Sequence, residues 1–157
     1  WMPQIAELPK GMRTIDLVAY LCWMRGQSRE RALASAEESL RAVGLTKSFH
    51  VKMGALSGGM VRRVWLAQAL AADADVLLLD EPSTGLDPRQ RETMVRLIRE
   101  TAAGTVLLSS HLLEDVKELA ERIVVLDQGR VSFDGSLTDD MNARWFMALT
   151  GDESEQR

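Results

Sequence analysis

The sequence predicts an α/β protein in which a parallel sheet with flanking helices is preceded by a small all-helical subdomain. One change of texture carries that prediction. Apolar residues recur at helical spacing up to about residue 56. Beyond it, short wholly apolar runs alternate with amphipathic stretches of about a dozen residues, the pattern of βαβ units around a buried parallel sheet.

The helical part is entered through a Pro/Gly loop containing Pro3, Pro9 and Gly11. A first helix follows on Ile15, Val18, Ala19 and Cys22, with Thr14 placed as its N-cap and Gly26 as its stop. A second rests on Ala32, Ala36, Leu40 and Val43 and stops at Gly44. In Leu56-Ser57-Gly58-Gly59-Met60, Ser57 is a good N-cap for a third helix, whose wide apolar arc runs through Val61, Val64, Trp65, Leu66, Ala69 and Leu70. Arg62 and Arg63 fall on its remaining face, which predicts solvated or ion-paired surface positions.

Val76 to Leu79 and Thr105 to Leu108 read as buried parallel strands. The helix between them has Asp87 as N-cap, Pro88 at the first helical position, and Met94, Val95, Leu97 and Ile98 as its apolar stripe; Gly104 ends the element. A further helix is expected from Leu112 to about Arg122, with Leu112, Leu113, Val116, Leu119 and Ala120 inward. Ile123 to Leu126 and Val131 to Phe133 flank Asp127-Gln128-Gly129-Arg130, a hairpin signal. Ser136 to Leu149 reads as a last helix, and 151–157 as a solvated tail.

Composition narrows the function. The 157 residues carry a net charge of −4 and no dense Lys/Arg cluster, which leaves no electrostatic footprint for nucleic acid or an anionic membrane surface. The longest apolar run, 17–24, is far shorter than the roughly 18 residues a membrane span needs. The single thiol, Cys22, can form no internal disulfide and suits a core position in a reducing compartment.

Three short segments carry chemistry. Val76 to Leu79 runs into Asp80-Glu81-Pro82, placing two carboxylates at the carboxyl edge of a parallel sheet, where open α/β folds bind ligands. The pair either caps the turn made with Pro82 or holds a divalent cation and polarises a water. In nucleotide hydrolysis, Asp80 would hold Mg2+ while Glu81 orients or deprotonates the attacking water. Ser57-Gly58-Gly59 opens a helix with backbone N–H groups that an anion can approach closely, or is a plain glycine-rich loop. His111 follows the second strand, where an imidazole either hydrogen-bonds a transferring phosphoryl group or starts a helix. His50 has no such setting and reads as structural.

In this order, the segments resemble the ATP-binding cassette (ABC) ATPases. Leu56 to Met60 resembles the LSGGQ signature, with Met60 in place of Gln; Val76 to Glu81 resembles the Walker B strand; Thr84 to Asp87 the D-loop; His111 the switch histidine. Leu8 to Gly26 resembles the helical subdomain, and Met2-Pro3-Gln4 the end of the strand carrying the Q-loop glutamine. The resemblance covers residues 1 to about 135 and implies a P-loop NTPase core divided into a Q-loop region (1–12), a helical subdomain (13–56), the later part of the ATPase core (57–135), and a C-terminal helix and tail (136–157).

It further implies a head-to-tail dimer with a second such domain. Ser57, Gly58 and Gly59 of one chain would touch the γ-phosphate of ATP held by the other. Asp80 and Gln4 would hold Mg2+, Glu81 and His111 would act on the chain's own nucleotide, and Asp87 would couple the two sites. The family's transport members work with transmembrane permease subunits at the cytoplasmic face of the membrane. The alternatives are a non-transport ABC protein, such as a translation-associated factor, and a non-enzymatic half-domain that lends only its signature to a partner. No Gly-Lys-Ser or Gly-Lys-Thr of a P-loop occurs in the sequence, and Trp1 is not an initiator. The expectation is therefore an incomplete core, starting at the Q-loop, that binds ATP weakly by itself.

Overall fold

The computed structural model describes residues 1–4, 9–101, 103–138 and 145. It forms two compact units, Trp1–Ser109 and Ser110–Arg157.

The first unit begins with Met2, considered below, and then helix α1 (Thr14–Met24). Its N-cap is Arg13 and not Thr14, and no side chain caps it. The need is met otherwise: the amides of Thr14 and Ile15 donate to the carbonyls of Val51 and Phe49, both at 3.0 Å, and the Thr14 hydroxyl also donates to Val51. The start of α1 is thereby fastened to a stretch far along the chain. Gly26, at φ +94°, supplies the left-handed residue that ends α1.

Helix α2 (Arg29–Ala42) is capped by Ser28, which accepts from the Arg31 amide. Small residues, Ala32, Ala36 and Ser39, make up most of its buried face beside Leu40, and α2 packs against α1. Two 3₁₀ turns, Thr46–Ser48 and Met53–Ala55, lead to helix α3 (Gly58–Leu70), which packs on both earlier helices. Cys22 is fully buried here, with its thiol directed at the Ala71 carbonyl; burial pushes its pKa up.

Strand β1 (Val76–Asp80) pairs in parallel with β2 (Thr105–Ser109), from Val76 opposite Thr105 to Asp80 opposite Ser109. On its other edge Met2 joins by a parallel bridge, donating to Leu78 O at 2.8 Å and accepting from the Asp80 amide at 2.9 Å. β1 is therefore central to three backbone segments.

The expectation of strands buried on both faces needs correction. Leu77 and Leu79 are buried, but Val76, Leu78 and Leu107 are 53%, 40% and 65% exposed. Among the described residues, one face of this sheet is open. Helix α4 (Pro88–Arg99) connects the strands and buries Met94, Val95 and Ile98. It ends at Glu100; Gly104 lies next to the start of β2 and is not the helix stop.

In the second unit, helix α5 (Leu113–Leu119) is shorter than expected because Ala120 is already extended and Arg122 opens a strand. Its one fully buried side chain is Asp115, not an apolar residue; the Ser110 hydroxyl donates to it at 3.3 Å. Strands β3 (Arg122–Asp127) and β4 (Arg130–Ser136) form an antiparallel hairpin. Gln128 and Gly129 both take positive φ, 46° and 76°, as a two-residue loop of this hand requires. Arg122 grips Asp134 with two hydrogen bonds of 2.8 and 2.9 Å, which hold the Asp134 carboxyl below its ordinary pKa. Ile123 and Val125 form a small core with Val116, Ala120, Phe133, Leu137 and Trp145. Ser136, expected to open a last helix, instead ends β4; the rest of that helix, apart from Leu137, Thr138 and Trp145, and the tail 151–157 lie outside the described residues. No helix among the described residues is long and apolar enough to cross a membrane.

Leu40 is fully buried between helices, whereas Leu33 on the same helix is 46% exposed. In urea denaturation, Leu40→Ala should lose about 2–5 kcal/mol of stability, and Leu33→Ala less than about 0.5 kcal/mol.

Candidate functional site

The carboxyl edge of β1 gathers the acidic residues. Asp80 is its last residue, and Ser109, opposite it on β2, donates its hydroxyl to Asp80 Oδ1 at 2.7 Å. The same hydroxyl accepts from the Glu81 amide at 3.0 Å. Glu81 has φ +49°, a left-handed conformation that costs a residue with a Cβ about 1–2 kcal/mol. Such strain persists only where the surroundings over-determine it, and here the Glu81 peptide is held through both its amide and its carbonyl. Thr84, three residues on, donates its hydroxyl to Glu81 Oε2 at 3.1 Å and its amide to the Glu81 carbonyl at 3.3 Å. Both carboxylates are half-buried.

The carbonyl end of the Met2 segment lies at the same edge. Gln4 is exposed, and its carbonyl accepts from the Arg62 guanidinium. Arg62 is only 9% exposed, against the expected surface position. It sits four residues before Leu66 and seven before Ala69, on the buried face of α3, and the carbonyls at the ends of the strand segments satisfy it. Arg63 is half-buried and donates to the Val43 carbonyl at 3.0 Å, so it too is no solvated side chain.

The start of α3 adds amide donors. Ser57 caps it, accepting from the Met60 amide at 3.4 Å. A Cβ built on Gly58 meets nothing within 4 Å, so that backbone lies open. One built on Gly59 would come within 2.8 Å of Gln90 Oε1 and 3.7 Å of the Gly85 carbonyl, so α3 begins beside the turn that follows Glu81. Asp87 ends that turn and caps α4, accepting from the Gln90 amide at 3.0 Å.

Ser57, Gly58, Gly59, Gln4, Asp80, Glu81 and Asp87 thus belong to the first unit, on segments joined by the contacts above. His111 belongs to the second, on exposed backbone just before α5. Sequence reasoning gave no role to Ser109, named Thr84 only as the start of the D-loop segment, and placed Arg62 at the surface. The first two stand one strand across from Asp80 and one turn beyond Glu81, and the helical spacing of Arg62 with Leu66 and Ala69 is the signal for the third.

The donor set suits a hard divalent cation: carboxylate and amide oxygens, with no soft ligand. Among the described residues no three His, Cys, Asp or Glu converge into a metal cage. A magnesium ion bound through one or two carboxylates and substrate phosphates needs no such cage.

The chain matches a family described as ABC transporter over residues 2–84. It is 44% identical over 109 residues to the energy-coupling factor transporter ATP-binding protein EcfA2 of Streptococcus sanguinis, covering 68% of this chain and 39% of that protein. It is 41% identical over 137 residues to the Nod factor export ATP-binding protein I of Burkholderia pseudomallei, covering 86% and 45% respectively. The daunorubicin/doxorubicin resistance ATP-binding protein DrrA of Streptomyces peucetius is 36% identical over 135 residues, covering 85% and 41%. The chain spans less than half the length of these relatives. Among solved structures, a dimeric ATP-binding cassette in a post-hydrolysis state with ADP and Pi superposes with a TM-score of 0.78 at 26% identity, over 87% of this chain and 62% of that one. An inward-facing transporter described as metal-chelate type matches in fold, with a TM-score of 0.79 at 21% identity, over 94% and 62%.

Asp87 allows its capping role to be separated from any role of its charge. Asp87→Ala should cost about 1 kcal/mol in urea denaturation through loss of the cap, and Asp87→Asn, which still caps, should cost only a few tenths.

Proposed function

The chain belongs to the ABC transporter family, and from that premise we propose that it is the signature-bearing part of an ATP-hydrolysing, nucleotide-binding domain that couples ATP-driven dimer closure to transport. The observation that carries this reading is the convergence of two half-buried carboxylates, a strained Glu81 and the open amides of α3 around one turn. The relatives named as transporter ATP-binding proteins, and the cassette dimer with ADP and Pi, support it. We divide the chain accordingly into a Q-loop region (1–12), a helical subdomain (13–56), the later ATPase core (57–135) and a C-terminal segment (136–157).

The mechanism follows from the residues. Ser57, Gly58 and Gly59 present a hydroxyl and backbone amides to the γ-phosphate held by a second, head-to-tail domain; the helix dipole of α3 favours that anion. Asp80 and Gln4 would hold Mg2+, which would supply charge neutralisation at the phosphate oxygens. Glu81 accepts a proton from the attacking water, and the Thr84 hydroxyl and Ser109 fix its carboxylate and its peptide for that task. His111 hydrogen-bonds the γ-phosphate, and Asp87, beside the start of α3, communicates between the two sites. Transmembrane permease subunits at the cytoplasmic face receive the motion.

A second reading is favoured by one observation, the open backbone at Gly58: the chain lends its Ser57-Gly58-Gly59 face to a complete partner cassette. The isolated chain titrated with Mg-ATP should bind weakly and release no phosphate steadily under either reading. Restored ATPase activity on mixing it with a P-loop-bearing cassette would select the second.

In the full-length gene product, Glu81→Gln should lower ATP turnover at least about a hundredfold while ATP-dependent dimerisation, followed by light scattering, persists. Turnover near the wild-type rate would remove Glu81 from the role of base. Gly58→Ala meets no neighbour within the chain, so its melting temperature should match wild type. Its ATP-dependent dimerisation should weaken, since the added methyl fills the approach to the amides.

A further inference from the structure

The Arg62 guanidinium donates to five backbone carbonyls. Nε donates to Pro82 at 3.3 Å; Nη1 to Pro3 at 3.4 Å and to Gln4; Nη2 to Asp80 at 2.9 Å and to Glu81. Five acceptors face the five N–H groups that a guanidinium carries in a rigid planar fork. They come from two segments remote in sequence, the end of the Met2 strand and the turn after β1, and the donor stands within the first turns of α3. The side chain is 9% exposed, and its burial pulls its pKa down while the charges of Asp80 and Glu81 oppose that pull. Filling space does not explain a buried cation, because an apolar side chain of the same length fills it without a desolvation penalty. What the guanidinium adds is direction: the peptide of Glu81 is held with its carbonyl toward Arg62 and its amide toward the Ser109 hydroxyl.

We infer that Arg62 is a positioning residue that locks the backbone of Gln4 and Glu81 to α3, so that the helix whose first turn contacts phosphate and the carboxylate that activates water move as one body. The inference rests on the reading of Glu81 as the base, and it names a residue outside the motifs that carry that reading. It also bears on the strain at Glu81: in its left-handed conformation the residue offers its carbonyl to Arg62 and its amide to Ser109 together.

Two measurements test it, one of them independent of ATP. In amide hydrogen exchange, Arg62→Met and Arg62→Lys should speed exchange at Glu81 and Thr84 at least about tenfold, with the amides of 66–70 in α3 unchanged. In the full-length gene product, Arg62→Met should lower kcat about a hundredfold with KM for Mg-ATP within about threefold, as expected for a displaced catalytic group. Arg62→Lys, which keeps the charge and three donors, should recover part of kcat, and it serves alone if the Met variant does not fold. Unchanged exchange at Glu81 and Thr84 overturns the inference whatever the activity. A wild-type kcat in either variant overturns it equally. A wild-type protein that hydrolyses no ATP, combined with accelerated exchange in the variants, leaves the positioning by Arg62 standing and sinks the ATPase reading instead.

Discussion

The first unit depends on the parallel pairing of β1 between Met2 and β2. That pairing fixes the register Asp80 opposite Ser109 and brings the Met2 chain alongside, so three strand ends leave the sheet at one level. Carbonyls and amides at the end of a parallel sheet have no further strand to bond, and each must find a partner. Here the partners are side chains: the Ser109 hydroxyl for one amide and the Arg62 guanidinium for five carbonyls. The chemistry of the site and the closure of the sheet edge are therefore one set of hydrogen bonds.

The helices answer to a different constraint. α2 packs on α1 and buries Ala32 and Ala36, and α1 takes its first acceptors from residues 49 and 51 in place of a capping side chain. The segment between α2 and α3 is thus bonded to the start of α1, which directs the chain back toward Ser57. A local helix start is bought with long-range backbone bonds, and the N-terminal end of α3 inherits its position from them.

What was legible in the sequence was what is local. Ser57 and Asp87 cap helices because the motif and its acceptor lie within one turn, and Gln128-Gly129 turns because both residues tolerate positive φ. Asp80 and Glu81 were legible as an acidic strand end, and their convergence with the α3 start follows from chain order. Arg62 departs from its expected surface position because polarity does not mean exposure: it lies at helical spacing from the buried Leu66 and Ala69. Val76-Leu77-Leu78-Leu79 hid a different fact, since an unbroken apolar run has no alternation from which to tell the covered face from the open one. Neither the bridge to Met2 nor the double role of Ser109 has a signature along the chain, because both are properties of register.

The buried thiol has a practical consequence. Cys22 is the only cysteine, fully buried on α1 where it meets the end of α3, with burial disfavouring its thiolate. A thiol reagent in solution can react only when that junction opens, and every adduct comes from the same position. The chain therefore carries its own clock for the separation of α1 from the end of α3, read as the rate of alkylation, with no engineered label and no background from other sites.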